Sequence, residues 1–214
     1  ENTWRFKSSF TLESGEELND LELVYHTFGR INSQRNNVIW VFHPLTANSN
    51  VENWWGELFG DEKLFNEKEH FVICVNSLGS AYGSSSPENL DFPFFTIRDV
   101  VNAQLLLAAH LKIQQIDCLI GGSFGGSQAL EFALKYSGKI KHLIVLACST
   151  KETSWGIAIH QAQRLALKAD ETFGDKNGGK KGLAAARAIG MLTYRTREAF
   201  IMGQANEDDR ISDH

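Results

Sequence analysis

Apolar runs alternate with polar segments through the first 150 residues, and the run lengths match strands and helices. Val38 to Phe42 and Phe71 to Asn76 are nearly unbroken apolar runs, typical of strands buried on both faces of a sheet. A similar run begins at Ile116 and ends in a glycine-rich turn, and Ile140 to Ala147 predicts a further buried strand.

Helical spacing of apolar residues separates these runs. Residues 96 to 111 predict one helix, with Thr96 as its candidate N-cap, and a second helix follows the glycine-rich turn to about Tyr136. Alternating strands and helices predict an α/β fold, with a mostly parallel sheet covered by helices on both faces.

The two ends of the chain depart from this alternation. Trp4 to Leu12 and Leu21 to Thr27 predict an antiparallel hairpin at a sheet edge, because a turn-rich stretch lies between them. From about residue 150 no apolar strand appears, and helical patterns follow at 155–169, 181–191 and 195–203. We therefore expect a core over residues 1–150 and a helical lid segment over 151–214.

The glycine-rich turn carries the strongest chemical signal in the chain. Gly121 to Gly125 matches G-x-S-x-G, the nucleophile elbow, in its required place between a strand and a helix. Such a turn projects the Ser123 hydroxyl above the sheet edge, beside the positive end of the following helix. The alternative is a tight turn whose serine only caps that helix.

Backbone donors for a developing oxyanion can be assigned from the same context. One donor follows the nucleophile, and the second comes from the loop after an early strand. We therefore predict the backbone N–H groups of Phe124 and Leu45. His43 precedes this loop, and a hydrogen-bonded structural role is favoured over direct catalysis.

A serine nucleophile also needs a base and a carboxylate that orients it, and these follow the serine in this fold. No downstream residue has a suitable setting, since the candidates lie at a strand start, in helices or in charged segments. The residues considered are His142, His160, His214, Asp170, Asp175, Asp208, Asp209 and Asp213.

Composition narrows the classes of protein. The 214 residues are 43% hydrophobic and carry a net charge of −5, which gives no basic footprint for nucleic acid or anionic membrane. No run spans a bilayer and no signal-peptide pattern opens the chain, so we expect a cytoplasmic protein. Cys74, Cys118 and Cys148 have no metal-site spacing, and we expect buried, inert thiols and no metal.

Many segments, in order, resemble the homoserine O-acetyltransferase family of the α/β-hydrolase superfamily. The similar segments are Phe10 to Gly15, Tyr25 to Gly29, His43 to Ser49, Asn76 to Ser80, Asp91 to Pro93, Thr96 to Asp99, Gly121 to Ala133, Gln163 and Arg164, Gly182 to Arg187, and Leu192 to Tyr194.

This resemblance implies acetyl transfer from acetyl-CoA to the hydroxyl of L-homoserine, on the route to methionine. Ser123 matches the family nucleophile, and Arg187 matches an arginine that holds the amino-acid substrate. A guanidinium suits an α-carboxylate, although spacing alone favours a salt bridge within the lid. CoA is then a co-substrate, no cofactor is bound, and a homodimer is implied.

Two departures from the family pattern limit these expectations. Family members are longer, so we expect that the last core strands, with the Asp and His of the triad, are absent from this chain. The loop between Pro87 and Asp91 is also shorter than usual. The alternatives are an acyltransferase using succinyl-CoA or serine, an esterase, or a non-catalytic fragment or binding module.

Overall fold

The computed structural model describes residues 1–87 and 92–203, which form two compact units. The units are Glu1–Thr150 and Lys151–His214. The first contains all the strands found in the described ranges, and the second contains helices. The shortened loop expected between Pro87 and Asp91 lies largely outside the described residues.

The first unit is organised around one six-stranded sheet. Its strands, with a separate two-stranded ribbon formed by β2 and β3, are β1 (Asn2–Phe6), β2 (Phe10–Thr11), β3 (Glu17–Leu18), β4 (Leu21–Gly29), β5 (Val38–Phe42), β6 (Phe71–Val75), β7 (Ile116–Gly122) and β8 (Ile140–Leu146). The order is β1-β4-β6-β5-β7-β8. Pairings from β6 to β8 are parallel, whereas β1 and β4 are antiparallel to their neighbours, so the expected mostly parallel sheet is confirmed.

Helical segments cover both faces of this sheet. They are α1 (Glu52–Trp55), a 3₁₀ turn (Gly56–Leu58), α2 (Ile97–His110) and α3 (Phe124–Lys135). Side chains alternate along β5, so Trp40 and Phe42 join the core beneath α2 and α3, while Ile39 and Val41 pack on the opposite face with Val51. All five β5 side chains are buried, as an unbroken apolar run predicts.

The start of α2 confirms the predicted N-cap. The Thr96 side chain accepts a hydrogen bond from the Asp99 N–H at 3.3 Å, and the Asp99 carboxylate accepts one from the Thr96 N–H at 2.8 Å. This reciprocal capping box satisfies two backbone donors that the helix itself leaves unpaired. The helix thereby begins at the residue that the sequence indicates.

The predicted N-terminal hairpin is only partly correct. β1 does pair antiparallel with β4 at the sheet edge, from Asn2 opposite Tyr25 to Phe6 opposite Leu21. A single strand from Trp4 to Leu12 is wrong, because β1 ends at Phe6 and β2 turns away to pair with β3. This turn buries Phe10 and Leu18 in the core, so packing of these side chains turns the chain away from β1.

The prediction of a buried strand at Ile140 to Ala147 is wrong in its burial. The strand exists, but Leu143 is 42% exposed and Leu146 is 44% exposed. Within the described residues β8 pairs only with β7 and forms the sheet edge, so no strand covers its outer side. Continuous apolar sequence therefore predicted the strand but not its surroundings.

The second unit contains the three predicted helices, with each end within two residues of its predicted position. They are α4 (Ser154–Lys168), α5 (Lys180–Met191) and α6 (Arg197–Gly203). The Gln163 side chain donates to the Ala186 carbonyl at 3.1 Å, which ties α4 to α5. The Asp170 carboxylate accepts hydrogen bonds from the backbone N–H groups of Gly182 and Thr172. These bonds lower the pKa of Asp170 to about 2, and the bond from Gly182 has the largest effect.

Candidate active site

The turn after β7 has the geometry of a nucleophile elbow. The Ser123 backbone has φ 54° and ψ −122°, a conformation that residues other than glycine rarely adopt. Helix α3 begins at the next residue. The Ser123 N–H donates to the Leu146 carbonyl of β8, while the Ser123 carbonyl accepts from the Gly126 N–H at 2.8 Å. The backbone on both sides of the serine is therefore held in place.

The Ser123 side chain is free to react. It is exposed, and it makes no capping hydrogen bond to α3. The alternative of a serine that only caps the helix is therefore wrong. No hydrogen-bond partner of the Ser123 hydroxyl is found within residues 1–87 and 92–203.

Close packing at α3 brings the loop after β5 against this turn. A Cβ added at Gly125 would overlap the Phe42 carbonyl oxygen and would lie 2.9 Å from the His43 carbonyl oxygen. Only glycine permits such an approach of two backbones. The end of β5 and the first turn of α3 are thus in direct contact.

The two predicted oxyanion donors lie on these two segments. Phe124 is the first residue of α3, and Leu45 lies in a turn closed by the Ala47 N–H donating to the Pro44 carbonyl at 3.0 Å. In the part of the chain that the structure describes, neither the Leu45 N–H nor the Phe124 N–H has a hydrogen-bond acceptor. Both are available to an oxyanion.

His43 is buried and hydrogen-bonded through both ring nitrogens. Its Nδ1 lies 2.9 Å from the Pro44 carbonyl oxygen, and its Nε2 lies 3.0 Å from the Ser77 backbone nitrogen. Burial lowers the pKa of His43, and the bond to Pro44 opposes this effect. These contacts support the structural role favoured from the sequence.

A buried polar chain behind His43 was not found from the sequence. Its other members are Trp40, Ser77, Gln104 and Gln128, each at most 2% exposed. A signal was present, since Gln104 and Gln128 interrupt the apolar faces of their helices. Buried polar side chains of this kind are normally hydrogen-bonded, and here they contact one another.

The described histidines downstream of Ser123 have other local partners. His142 is exposed on β8, with Nδ1 at 3.0 Å from the Asp117 carbonyl oxygen, and His160 lies 3.7 Å from the Glu152 carboxylate within the second unit. His214, Asp208, Asp209 and Asp213 lie outside the described residues.

Arg187 lies on α5 with an exposed side chain. Across the described ranges it forms no ion pair or hydrogen bond, so the alternative of a structural salt bridge finds no partner there. Its guanidinium remains available to a carboxylate.

The cysteines are not equivalent. Cys74 and Cys118 are buried, and burial raises the pKa of both thiols, that of Cys118 to about 11. The expectation of burial is wrong for Cys148, which follows β8 and is partly exposed, with Sγ 3.3 Å from Ser127 Oγ. No group of three or more potential metal ligands occurs among the described side chains.

Comparison with known proteins agrees with this architecture. The model of the α/β-hydrolase fold family matches residues 37–198. The homoserine O-acetyltransferase of Cyclobacterium marinum is 38% identical over 97% of this chain and 62% of its own length. That of Chlorobaculum parvum is 41% identical over 94% of this chain and 61% of its own length.

Solved structures show the same relation. The homoserine O-acetyltransferase structure from Staphylococcus aureus has a TM-score of 0.82 at 30% identity, covering 97% of this chain and 62% of that one. The resemblance seen in the sequence is therefore confirmed. The chain spans about three fifths of the length of the bacterial relatives it matches. Within residues 1–87 and 92–203, no helix combines the length and apolar character needed to cross a membrane.

Proposed function

The chain belongs to the α/β-hydrolase fold family, and we propose that it forms the nucleophile-bearing part of a homoserine O-acetyltransferase. The observation that carries this proposal is the exposed Ser123 hydroxyl on its strained turn, with unpaired N–H groups at Leu45 and Phe124. Similarity to acetyltransferases of 38% and 41% identity supports the choice of substrates.

In the first step, Ser123 Oγ attacks the thioester carbonyl of acetyl-CoA. The C–S bond breaks, CoA leaves as its thiol, and the acetyl group is held as an ester on Ser123. The Leu45 and Phe124 N–H groups hold the negative oxygen formed during the attack, which lowers the barrier. The proton released by Ser123 passes by way of a general base to the departing sulfur.

In the second step, the hydroxyl of homoserine attacks the serine ester. A new C–O bond forms to the acceptor, Ser123 Oγ leaves, and it regains a proton from the acceptor hydroxyl. Arg187 holds the α-carboxylate of homoserine, since a guanidinium binds a carboxylate through two parallel hydrogen bonds. Both substrates are small molecules, CoA is released each turnover, and no bound cofactor is required.

The test is covalent labelling of the full natural gene product with acetyl-CoA, with and without L-homoserine. We expect an acetyl group on the peptide containing Ser123, its discharge on adding homoserine, and no labelling of Ser123→Ala. Discharge into water alone would indicate an esterase. A folded protein that is never labelled by acetyl-CoA, succinyl-CoA or an activated ester would overturn the catalytic proposal.

Rates measured with other acyl donors and acceptors distinguish the alternative acyltransferases. Faster labelling by succinyl-CoA than by acetyl-CoA, or faster discharge by serine than by homoserine, would reassign the donor or the acceptor. These reactions use the same nucleophile and the same backbone donors. Only the rates with the two donors and two acceptors therefore separate them.

We also propose a homodimer that works in the cytoplasm in methionine biosynthesis. Large apolar side chains of the second unit are exposed, including Trp155, which is 72% exposed, and Leu192, which is 68% exposed. Such surfaces are typical of association sites. Light scattering of the purified gene product should give twice the chain mass, and a monomer at micromolar concentration would refute the dimer.

A further inference from the structure

The two proposed oxyanion donors belong to different elements, so something must fix the distance between them. Leu45 follows β5, and Phe124 begins α3. Loss of one such donor costs an enzyme about 100-fold to 1,000-fold in rate, which shows how closely their placement matters. The buried polar chain connects these same two elements.

The directions of the hydrogen bonds between β5, α2 and α3 follow from Trp40. An indole N–H can only donate, so the Gln104 oxygen, 3.0 Å away, must accept. The Gln104 amide nitrogen therefore faces Gln128 and donates to its Oε1 at 3.0 Å. The Ser77 hydroxyl donates to the same oxygen, also at 3.0 Å.

The other end of the chain fixes the form of His43. The Ser77 backbone N–H is a donor, so His43 Nε2 must accept from it and carries no proton. The Pro44 carbonyl is an acceptor, so Nδ1 carries the hydrogen and donates at 2.9 Å. His43 is therefore neutral, with its proton on Nδ1.

One atom shows that this arrangement is enforced. Gln128 is fully buried, and its Nε2 has no partner among the described residues. Rotating the amide by 180° would turn that nitrogen toward Gln104 Nε2, placing donor against donor. Gln104 cannot rotate in response, because Trp40 requires its oxygen. In the observed orientation Gln128 Nε2 is unpaired, and its Oε1 accepts from both Gln104 and Ser77.

We propose that Gln104, Gln128, Ser77 and His43 are positioning residues that clamp the Leu45 loop to the helix of the nucleophile and so set the spacing of the two oxyanion donors. This inference rests on the proposed acyl transfer through Ser123. None of the four side chains needs to touch the substrate. Their role is to link β5 through α2 and α3 to the loop, with the Gln128 oxygen accepting from both Gln104 and Ser77.

The charges around the clamp favour its neutral form. The thiol of Cys74, whose pKa burial raises, contacts the His43 backbone, and no carboxylate or ammonium group contributes to the lowered pKa of His43 within the described ranges. A proton added at Nε2 would face the Ser77 N–H, with the Ser77 hydroxyl oxygen 3.2 Å from the same nitrogen.

The test uses Gln104→Met and Gln104→Glu in the full gene product, with an activated acetate ester as acyl donor. Methionine has a similar volume, but its sulfur is only a weak acceptor for the Trp40 N–H and cannot donate to Gln128. We expect the acylation rate constant to fall about tenfold or more with the KM of the ester nearly unchanged, because the oxyanion exists only in the transition state.

Gln104→Glu supplies a readout that a purely structural role would not give. A protonated carboxyl accepts from Trp40 and donates its O–H to Gln128, like the native amide, whereas a carboxylate presents oxygen to oxygen. Burial raises the pKa of such a carboxyl. We therefore expect the acylation rate of this variant, relative to wild type at each pH, to rise as the pH falls.

Controls separate the possible failures. Tyr136→Phe removes the hydrogen bond to the Ile113 carbonyl at the far end of α3 and should leave the acylation rate unchanged. If wild type reacts, Ser123→Ala does not, and both Gln104 variants match wild type at every pH, the clamp is refuted and acyl transfer stands. Unreactive wild type refutes acyl transfer itself. If Gln104→Met does not fold, the pH profile of Gln104→Glu decides.

Discussion

The strained backbone at Ser123 should lower the free energy of unfolding, and Ser123→Gly tests this effect. Its φ of 54° and ψ of −122° lie where a residue with a Cβ is strained by about 1–3 kcal/mol. Glycine removes this strain but loses about 0.5–1 kcal/mol through the greater freedom of the unfolded chain. We therefore expect Ser123→Gly to raise the free energy of unfolding, by up to about 2.5 kcal/mol.

Ser123→Ala is the matched comparison, because it removes the hydroxyl and keeps the strain. Since the hydroxyl has no partner in the described part of the chain, alanine should stay within about 0.5 kcal/mol of wild type. Urea titration followed by tryptophan fluorescence measures all three proteins, with unchanged m-values required. Both variants should lose acylation. A glycine variant no more stable than the alanine variant would refute the strained elbow.

Three further predictions concern other parts of the chain. Gly125→Ala forces a Cβ into the Phe42 carbonyl, so urea titration should show a loss of about 3 kcal/mol in the free energy of unfolding, and the acylation rate should fall about 100-fold. Gly56→Ala is the control, because its Cβ meets open space and should leave both stability and acylation unchanged. Arg187→Lys should raise the KM for homoserine about tenfold or more in steady-state assays, with the acylation rate by acetyl-CoA unchanged. Asp170→Asn should be less stable than wild type above pH 4. The difference in free energy of unfolding should shrink as the pH falls toward 2, because the wild-type carboxylate becomes protonated there. Equal pH dependence of unfolding in the two proteins would contradict this prediction.

Local rules predicted those parts of the fold whose causes are local. The strand at Val38–Phe42 and the cap at Thr96 depend on an apolar run and on one side chain near a helix start, and both are confirmed. The burial of β8 was wrong because burial is decided by neighbouring elements, and no strand lies beyond β8 in the described residues. The end of β1 at Phe6 has the same origin, because Phe10 is buried in a core built by residues distant in the sequence.

The candidate site divides in the same way. Ser123 and the Phe124 donor were predicted because a short motif fixes them relative to a strand and a helix, and Leu45 was predicted because its loop follows an early strand. Gln104 and Gln128 are 24 residues apart and meet only because α2 and α3 pack side by side. Nothing in their spacing indicates that contact, and only their position on apolar helix faces marks them as unusual.

The unfavourable features of this unit are concentrated where the proposed chemistry needs them. Ser123 has a strained backbone, the Leu45 and Phe124 N–H groups lack acceptors in the described chain, and the Gln128 amide is buried with an unpaired nitrogen. The strained backbone and the buried unpaired amide cost stability, and burial of apolar side chains in strands such as β5 offsets this cost. The two kinds of cost respond differently to mutation. Glycine at position 123 should recover stability and abolish acylation, whereas methionine at position 104 should leave the strain in place and misplace the donors.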